Sequence, residues 1–254
     1  MKTKKKRIAL FAGLLAAIAV ACTLVGTSGS AAVYTLSTNK RELPVYRVDR
    51  EDDKISISFD CAWGTEYTDD ILDALDFYNV KCTFFAVRFW VEKYPDVVKK
   101  IVARGHEIGT HSATHPHMNK LTEAQIEEEL RTSVDSIEKI SGQSVALFRP
   151  PFGEYNDRVI LTARSLGLQS VQWDVDSLDW KNLTAEQIAS RVIPKTRSGS
   201  IILCHNNGLH TAESLPLIFS ALQEKGFVFV PIGELLYREN YEIKRDGSQV
   251  QIGQ

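Results

Sequence analysis

Cysteine is scarce in this 254-residue sequence, and none of its cysteines stands in a short-spaced pair. Cys22, Cys61, Cys82 and Cys204 form no C-x-x-C motif, so the sequence excludes a zinc ribbon and a disulfide framework. Cys82 and Cys204 are expected to be small buried hydrophobic residues. The sequence also shows no internal repeat and no low-complexity tract, which excludes a solenoid or a repeat array.

A surplus of positive charge is missing as well. Thirty Lys and Arg residues face 32 Asp and Glu residues, for a formal net charge of −2. Nucleic-acid-binding proteins usually carry a basic balance or a basic stripe, so no nucleic-acid partner is expected. Hydrophobic residues make up 44% of the chain and charged residues 24%. This composition and length suit one large globular domain with an N-terminal extension.

The N-terminal extension begins with a positive cluster that precedes an apolar run. Lys2 and residues 4–7 are basic, with Thr3 between them. Residues 8–26 carry no charge. This layout is typical of an export signal, yet the run also approaches the ~20 residues of a membrane-spanning helix. Residues 1–32 are therefore predicted to be a cleaved signal peptide or a membrane anchor. The anchor is favoured because a usual signal h-region has only ~7–15 residues. Both alternatives place the rest of the chain outside the cytoplasm.

The remainder divides into three parts. Residues 33–53 are predicted to be a linker, residues 54–240 the globular domain and residues 241–254 a C-terminal tail. Predicted strands lie near residues 54–60, 81–87, 106–109, 145–148, 169–173, 200–204 and 227–230. Predicted helices lie near residues 69–78, 94–103, 122–140, 157–166, 185–192 and 212–225. Such β–α alternation predicts a parallel sheet with crossover helices, closed or nearly closed into a barrel. An open doubly wound sheet would carry a glycine-rich turn after the first strand, and this sequence has none there.

Polar residues follow several of the predicted strands. In a β/α barrel, functional groups gather at the C-terminal ends of the strands. The polar residues at these ends are Asp60, His111, Ser112, His115, Arg149, Asp174, Asp176, Asp179, Trp180, His205, Asn206 and Asn207. The fold is therefore expected to collect them around one mouth of the barrel.

Two of these histidines are spaced for metal binding. His111 and His115 stand four residues apart, which on a helical turn would place both imidazoles on one side, able to share a divalent ion. Asp60 ends an apolar strand, where a carboxylate is costly to bury without a partner. Arg149 is its expected partner. The pair is either a salt bridge that closes the barrel or a general base with its orienting group.

His205 ends another apolar strand. It is either a hydrogen-bonded core histidine or a general acid whose charge a carboxylate would stabilise. Asp176 and Asp179 are both candidates for that carboxylate. The three remaining histidines are expected to be structural or peripheral: His106, His117 and His210. Of these, His117 is expected to lie nearest to the site.

Together these residues resemble the polysaccharide deacetylase family, that is, the nodulation-type deacetylase homology domain of carbohydrate esterase family 4. The resemblance covers roughly residues 54–236 and rests on five motifs in order. These are Phe59-Asp60-Cys61 in part, His111-Ser112-Ala113-Thr114-His115, Arg149-Pro150-Pro151-Phe152-Gly153, Asp176-Ser177-Leu178-Asp179-Trp180 and Leu203-Cys204-His205. The first motif continues to Trp63-Gly64, which resembles the F-D-x-x-W-G subgroup that includes sporulation-type deacetylases.

The resemblance implies a fold, an activity and residue roles. The fold is a distorted, TIM-like (β/α)7 barrel, and the activity is metal-dependent hydrolysis of N-acetyl groups in peptidoglycan or chitin-like polymers. The implied ion is divalent, with zinc expected and cobalt, manganese or nickel as alternatives. The implied catalytic residues are Asp60 as base, His205 as acid, and Arg149 and Asp179 as their orienting partners. The implied metal ligands are His111 and His115. The implied substrate-binding residues are Phe152, whose backbone N–H would bind the oxyanion, Trp180 and Leu203 around the acetyl group, and also Trp63 and Asp176.

One position departs from the family pattern. The family usually has a second aspartate, a metal ligand, where this chain has Cys61. A thiolate could bind zinc in its place, or Cys61 could be an apolar replacement that leaves a two-histidine site. Two other functions therefore stay open: a weak or inactive glycan-binding homologue, and an O-deacetylase acting on acetylated xylan.

Overall fold

A curled, parallel β-sheet covered by helices forms the centre of the computed structural model, which describes residues 41–253. The strands are β1 (Arg47–Val48), β2 (Lys54–Cys61), β3 (Thr83–Ala86), β4 (Glu107–Thr110), β5 (Leu147–Phe148), β6 (Gln169–Ser170), β7 (Val175–Asp176), β8 (Ile201–His205), β9 (Val228–Phe229), β10 (Tyr241–Ile243) and β11 (Ser248–Gln251). The helices are α1 (Thr68–Phe77), α2 (Arg88–Lys93), α3 (Pro95–Ala103), α4 (Glu123–Ser141), α5 (Asp157–Ser165), α6 (Ala185–Val192), α7 (Thr211–Glu224) and α8 (Ile232–Leu235).

The main sheet has the strand order β6-β5-β4-β3-β2-β8-β7, with β9 alongside the start of β2. Its strands pair in parallel, which confirms the predicted distorted (β/α)7 barrel. The pairing register is decisive for the site. Asp60 at the end of β2 lies opposite Phe85 on β3 and His205 on β8. The ends of these strands are level, so their polar side chains reach one end of the barrel.

The two faces of the sheet bury separate hydrophobic clusters. One cluster lies between the sheet and the helices and includes Ile55, Ile57, Phe59 and Cys61 of β2. The other lies inside the barrel and includes Val45, Val48, Phe85, Leu147 and Ile201. Because side chains alternate along a strand, the other residues of β2 face the barrel interior. That alternation turns Asp60 inward and Cys61 outward.

Local sequence signals account for the longest helix. Thr122 and Gln125 form the predicted capping box, with the Thr122 hydroxyl accepting from the Gln125 N–H. Gly142 ends α4 in the left-handed conformation, at φ 72°. Each of the six predicted helices and seven predicted strands overlaps an observed one. Strands β1, β7, β10 and β11 and helices α2 and α8 were not predicted; all are short, with two to six residues.

The two ends of the described chain differ from the expected linker and tail. Strand β1 pairs with β11, and β11 with β10, so residues from both ends form a three-stranded sheet. Val45 and Val48 are fully buried. The segment also forms isolated bridges to Val171, next to β6, and to Ser200, next to β8. Residues 41–53 and 241–253 are thus part of the packed domain, because their buried valines complete the core inside the barrel.

The predicted signal peptide or anchor, residues 1–32, lies outside the described residues. Within residues 41–253, no helix combines the length and the apolar character needed to cross a bilayer.

Gly199 gives a test of this packing. It has φ 77°, and a Cβ there would overlap the Val48 carbonyl group. Gly142 has a similar φ of 72° but nothing within 4 Å of the Cβ position. Gly142→Ala should lower the free energy of unfolding by about 1–2 kcal/mol. Gly199→Ala should lower it by about 2–5 kcal/mol, because overpacking adds to the backbone penalty. Denaturant unfolding measures both, and equal losses would contradict the placement of β1.

Candidate active site

A cavity of about 460 Å³ opens at the C-terminal ends of the strands. Its lining residues are Asp60, Ala62, Trp63, His111, His115, Phe152, Gly153, Trp173, Trp180, Leu203, His205 and Asn207. Most of the side chains expected at the site from the sequence are in this lining. Two further expected residues, Arg149 and Asp179, are fully buried directly behind it.

Asp60 and Arg149 form a buried ion pair at the base of the cavity. Arg149 Nη1 lies 2.8 Å from Asp60 Oδ1, and the arginine is fully buried. Arg149 Nη2 donates to the Gln172 carbonyl oxygen at 3.2 Å, and the guanidinium lies 4.1 Å from the Phe85 ring centroid. Burial alone would raise the pKa of Asp60, but the charge of Arg149 and smaller effects of the nearby histidines lower it below its usual range. The carboxylate is therefore ionised.

The backbone of Arg149 positions the first histidine. His111 Nδ1 lies 2.7 Å from the Arg149 carbonyl oxygen. Since a carbonyl oxygen only accepts, Nδ1 carries the hydrogen and Nε2 keeps its lone pair. That Nε2 lies 3.5 Å from Asp60 Oδ2. Burial, outweighing the charge of Asp60, lowers the pKa of His111, so its imidazole is neutral and able to bind a metal ion.

The second histidine is brought close by a loop rather than by the predicted helical turn. Residues 111–117 follow β4 without helical structure, and Ser112 and His115 have positive φ values of 74° and 57°. Glu129 of α4 holds the loop by accepting from the Thr114 N–H at 2.8 Å. The His111 and His115 rings end 4.9 Å apart between centroids. Burial, with a smaller effect of His111, lowers the pKa of His115 to about 4.

His205 has its own buried carboxylate. Asp179 accepts from His205 Nδ1 and from the His205 backbone N–H, each at 2.7 Å. The Thr211 hydroxyl also donates to this carboxylate at 2.6 Å. Burial would lower the pKa of His205, but the hydrogen bond and charge of Asp179, with Asp60 and Asp176, raise it overall. Asp179, rather than Asp176, is thus the carboxylate that faces the imidazole.

Three aromatic side chains form an exposed rim around the cavity. Trp63 is 57% exposed, Phe152 55% and Trp180 56%. The turn that carries Trp63 is anchored at the Gly64 carbonyl oxygen, which accepts from Trp90 Nε1 at 2.7 Å and from an Asn206 side-chain amide at 2.9 Å. Large exposed aromatic faces beside a cavity that also presents Asp60 and His205 are suited to binding the apolar faces of a ligand.

Two of the predicted site residues are not brought to the cavity. Cys61 is fully buried among the hydrophobic residues between sheet and helices, and its Sγ lies 3.7 Å from the Phe59 carbonyl oxygen. Burial, with the charge of Asp60, raises the pKa of its thiol well above the usual value. Asp176 does not line the cavity either; its carboxylate accepts from the Leu178 N–H at 2.9 Å.

The structure adds lining residues that were not among the predicted site residues. They are Ala62, Gly153, Trp173 and Asn207. Asn207 carried a signal, since it follows a strand end, and Gly153 stands inside a motif that was recognised. Trp173 reaches the cavity although β6 ends at Ser170. It ends the predicted strand 169–173, and Ala62 stands inside the F-D-x-x-W-G motif, so both carried a signal that was not used.

Comparisons with known proteins agree with this geometry. Residues 47–171 match the family model described as polysaccharide deacetylase. A peptidoglycan-N-acetylglucosamine deacetylase of Bacillus cereus is 34% identical over 196 residues, which cover 75% of this chain and 92% of that protein. The chain belongs to the polysaccharide deacetylase family.

Two further similar proteins have different descriptions. The uncharacterized protein YlxY of Bacillus subtilis is 35% identical over 193 residues, which span 76% of this chain and 60% of that protein. The structure of wild-type BA3943 from Bacillus anthracis, described as a CE4 family pseudoenzyme, matches with 34% identity and a TM-score of 0.74. That match covers 76% of this chain and 69% of the solved chain.

Polysaccharide deacetylases are generally metal-dependent, so the donor set is relevant. Within residues 41–253, no three His, Cys, Asp or Glu side chains form a ready-made metal site. His111 and His115 nevertheless supply two neutral imidazoles, and the Nδ1–H of His111 is fixed by a carbonyl oxygen, as is usual for a metal-binding histidine. These residues fit a divalent ion held by two imidazoles beside the Asp60 carboxylate.

Arg149→Met tests the buried ion pair. Removing the guanidinium leaves the Asp60 charge buried without its partner, which should lower the free energy of unfolding by about 3–5 kcal/mol. Adding Asp60→Asn to Arg149→Met should restore part of this loss, because the uncompensated charge is then gone. Arg104→Met, at the surface ion pairs with Asp73 and Asp76, is the control and should cost about 1 kcal/mol or less. Denaturant unfolding distinguishes them, and a loss at Arg149 no larger than at Arg104 would contradict a buried, charged pair.

Proposed function

We propose that this chain hydrolyses N-acetyl groups of an amino-sugar polymer and releases acetate. One observation supports the proposal above the others: an ionised carboxylate and a histidine with a raised pKa face the same cavity, each with a separate buried partner. Asp60 is paired with Arg149, and His205 with Asp179. Acid–base hydrolysis requires such a division, since base and acid must keep opposite protonation states at one pH.

In the first step, Asp60 accepts a proton from a water molecule. The oxygen of that water forms a bond to the acetyl carbonyl carbon. The Arg149 pair holds one oxygen of Asp60 and leaves Oδ2, on the side of His111, for the water. This division of the two carboxylate oxygens fixes the direction from which the water attacks.

The carbonyl oxygen becomes an oxyanion, which requires a donor at the cavity. The backbone N–H of Phe152, in the family's third motif, is proposed for this role. A divalent ion held by His111 and His115 would supply further charge stabilisation and polarise the acetyl group. Phe152 lines the cavity next to His115, with ring centroids 4.5 Å apart, and this location supports the proposed role.

In the second step, His205 donates its proton to the sugar nitrogen. The carbon–nitrogen bond then breaks, leaving acetate and a free amine on the polymer. The raised pKa of His205 keeps the imidazolium populated until this step. Asp179 fixes the ring through Nδ1, so the proton to be donated is on Nε2.

The substrate assignment rests on the cavity and on the relatives. Leu203 is buried at the cavity wall, and Trp180 lies at its rim, so these two residues are suited to enclose an acetyl methyl group. Trp63 and Phe152 are the other exposed aromatic residues of the rim. Peptidoglycan is the favoured polymer because relatives are named for its N-acetylglucosamine. An extracytoplasmic location, secreted or anchored by residues 1–32, follows from the same substrate.

A second candidate is glycan binding without catalysis. Two observations favour it: the Cys61 thiol lies away from the cavity, and a similar structure is that of a pseudoenzyme. It predicts that the rim binds glycans while no acetate is released and no metal is held at stoichiometric levels.

Acetate release from N-acetylglucosamine oligomers and from peptidoglycan tests the first candidate. The wild-type chain should release acetate, and Asp60→Asn and His205→Ala should each slow release by about 100-fold or more, because each removes a general acid–base group. Glycan affinity, measured on the same proteins, should change little. Equal release by all three proteins would contradict the assigned roles, and binding without release by the wild type would favour the second candidate.

Metal analysis tests the two-imidazole site. Purified wild type and Cys61→Ala should both hold about one divalent ion per chain, because the buried thiol is not a ligand. His115→Ala should lose the ion, since one of two imidazoles is removed, and zinc, cobalt, manganese and nickel should be compared. Loss of metal in Cys61→Ala would contradict the placement of the thiol. Retention of metal in His115→Ala would contradict the proposed ligand set.

A further inference from the structure

Two loops at the cavity mouth are tied to each other outside the site itself. The histidine loop, residues 111–121, meets the Phe152 loop, residues 150–156, and the start of α5 through side-chain hydrogen bonds. His117 Nδ1 donates to Glu154 Oε2 at 2.9 Å. Arg158 Nη1 donates to the Leu121 carbonyl oxygen at 2.7 Å. None of these four residues lines the cavity. Their contacts can affect the shape of the cavity only through the two loops.

The ring of Phe152 is held between two imidazoles. His117 stacks on it, with centroids 4.6 Å apart and an interplanar angle of 20°. His115 contacts it edge-on, with centroids 4.5 Å apart and an angle of 72°. The hydrogen bond from His117 to Glu154 fixes the outer imidazole of this sandwich. Glu154 is itself two residues from Phe152, so the same loop carries both the Phe152 ring and the carboxylate that holds His117 against it. His117 and Glu154 are called the clamp below.

Phe152 needs such support because of its backbone. It has φ 59° and ψ 8°, a left-handed conformation that is unusual for a bulky residue and costs on the order of 1–3 kcal/mol. Such a conformation persists when the surroundings enforce it. The Phe152 side chain is more than half exposed, so burial alone does not enforce it. The two imidazoles are the aromatic contacts of its ring.

We infer that His117 and Glu154 are positioning residues that hold Phe152 in its left-handed conformation and so aim its backbone N–H into the cavity. The inference rests on the proposed function, in which that N–H stabilises the oxyanion. Neither residue reaches the reacting atoms. Their effect passes through the stacked ring to the backbone of residue 152.

This role predicts a particular kinetic effect. A misaimed oxyanion donor weakens binding of the transition state more than binding of the substrate. His117→Ala and Glu154→Ala should therefore lower kcat by about 10-fold, less than the ~100- to 1,000-fold of losing a donor outright, and leave KM within about 2-fold. Glu154→Gln should retain most activity, since its amide oxygen still accepts from His117 Nδ1. His210→Ala, at another exposed histidine–glutamate pair with 2.8 Å separation, should leave kcat unchanged.

A double-mutant cycle with Phe152→Gly separates positioning from general loosening. Glycine adopts positive φ without a steric penalty, so the clamp has nothing left to enforce at that residue. In the Phe152→Gly background, His117→Ala should change kcat by less than about 2-fold, whereas in the wild type it should cost about 10-fold. Additive losses in the cycle, or an equal loss in His210→Ala, would overturn the inference.

A readout without activity keeps the inference separate from the proposed function. In protein labelled with ¹³C and ¹⁵N at phenylalanine, the Cα and Cβ shifts of Phe152 report its backbone conformation. They should show a left-handed residue in the wild type and in Glu154→Gln, and move away from it in His117→Ala and Glu154→Ala. Unchanged shifts in both alanine variants would refute the positioning role of His117 and Glu154. Absence of acetate release by the wild type would refute only the proposed activity and would leave this test intact.

Discussion

The ion pair between Asp60 and Arg149 is the constraint on which the site depends, because one buried arginine positions two different groups. Its guanidinium binds the Asp60 carboxylate, and its backbone carbonyl accepts from His111. A buried charge is costly unless it is paired and hydrogen-bonded. Arg149 is paired with Asp60, donates to the Gln172 carbonyl oxygen and lies over the face of Phe85. The strand ends of β2, β4 and β5 are thereby held in one arrangement.

The fold could be predicted from the sequence where the signals are local. The capping box of Thr122 and Gln125 and the stop at Gly142 marked α4 to within one residue, since hydrogen bonds between near neighbours set helix ends. Two-residue strands such as β1 and β7 have no periodicity to detect. Strand β1 forms by pairing with β11, about 200 residues later, and such pairing is invisible in the local pattern. The terminal segments were therefore expected to be a linker and a tail.

The site was predictable to the extent that strand ends determine it. Asp60 and His205 lie opposite each other in register, and this follows from parallel strands ending level. The convergence of His111 and His115 has a different cause from the one predicted, because two positive φ values in a loop replace the helical turn. The direction of Cys61 was implicit in the sequence. It has the same parity as Ile55, Ile57 and Phe59, which face the helices, so strand alternation turns its thiol away from Asp60.

The charges of the buried groups at the site constrain how it can hold a cation. With His205 protonated, the buried groups Asp60, Arg149, Asp179 and His205 sum to zero, and each carboxylate already faces a cation. His111 and His115 are neutral. Cys61 adds no negative charge, because burial raises the pKa of its thiol and keeps it protonated. The proposed binding of a divalent ion would therefore rest on two imidazole lone pairs and on the Asp60 oxygen not bound to Arg149. Under the proposed function, metal affinity would separate a deacetylase from a glycan-binding homologue more sharply than the proposed acid–base pair would.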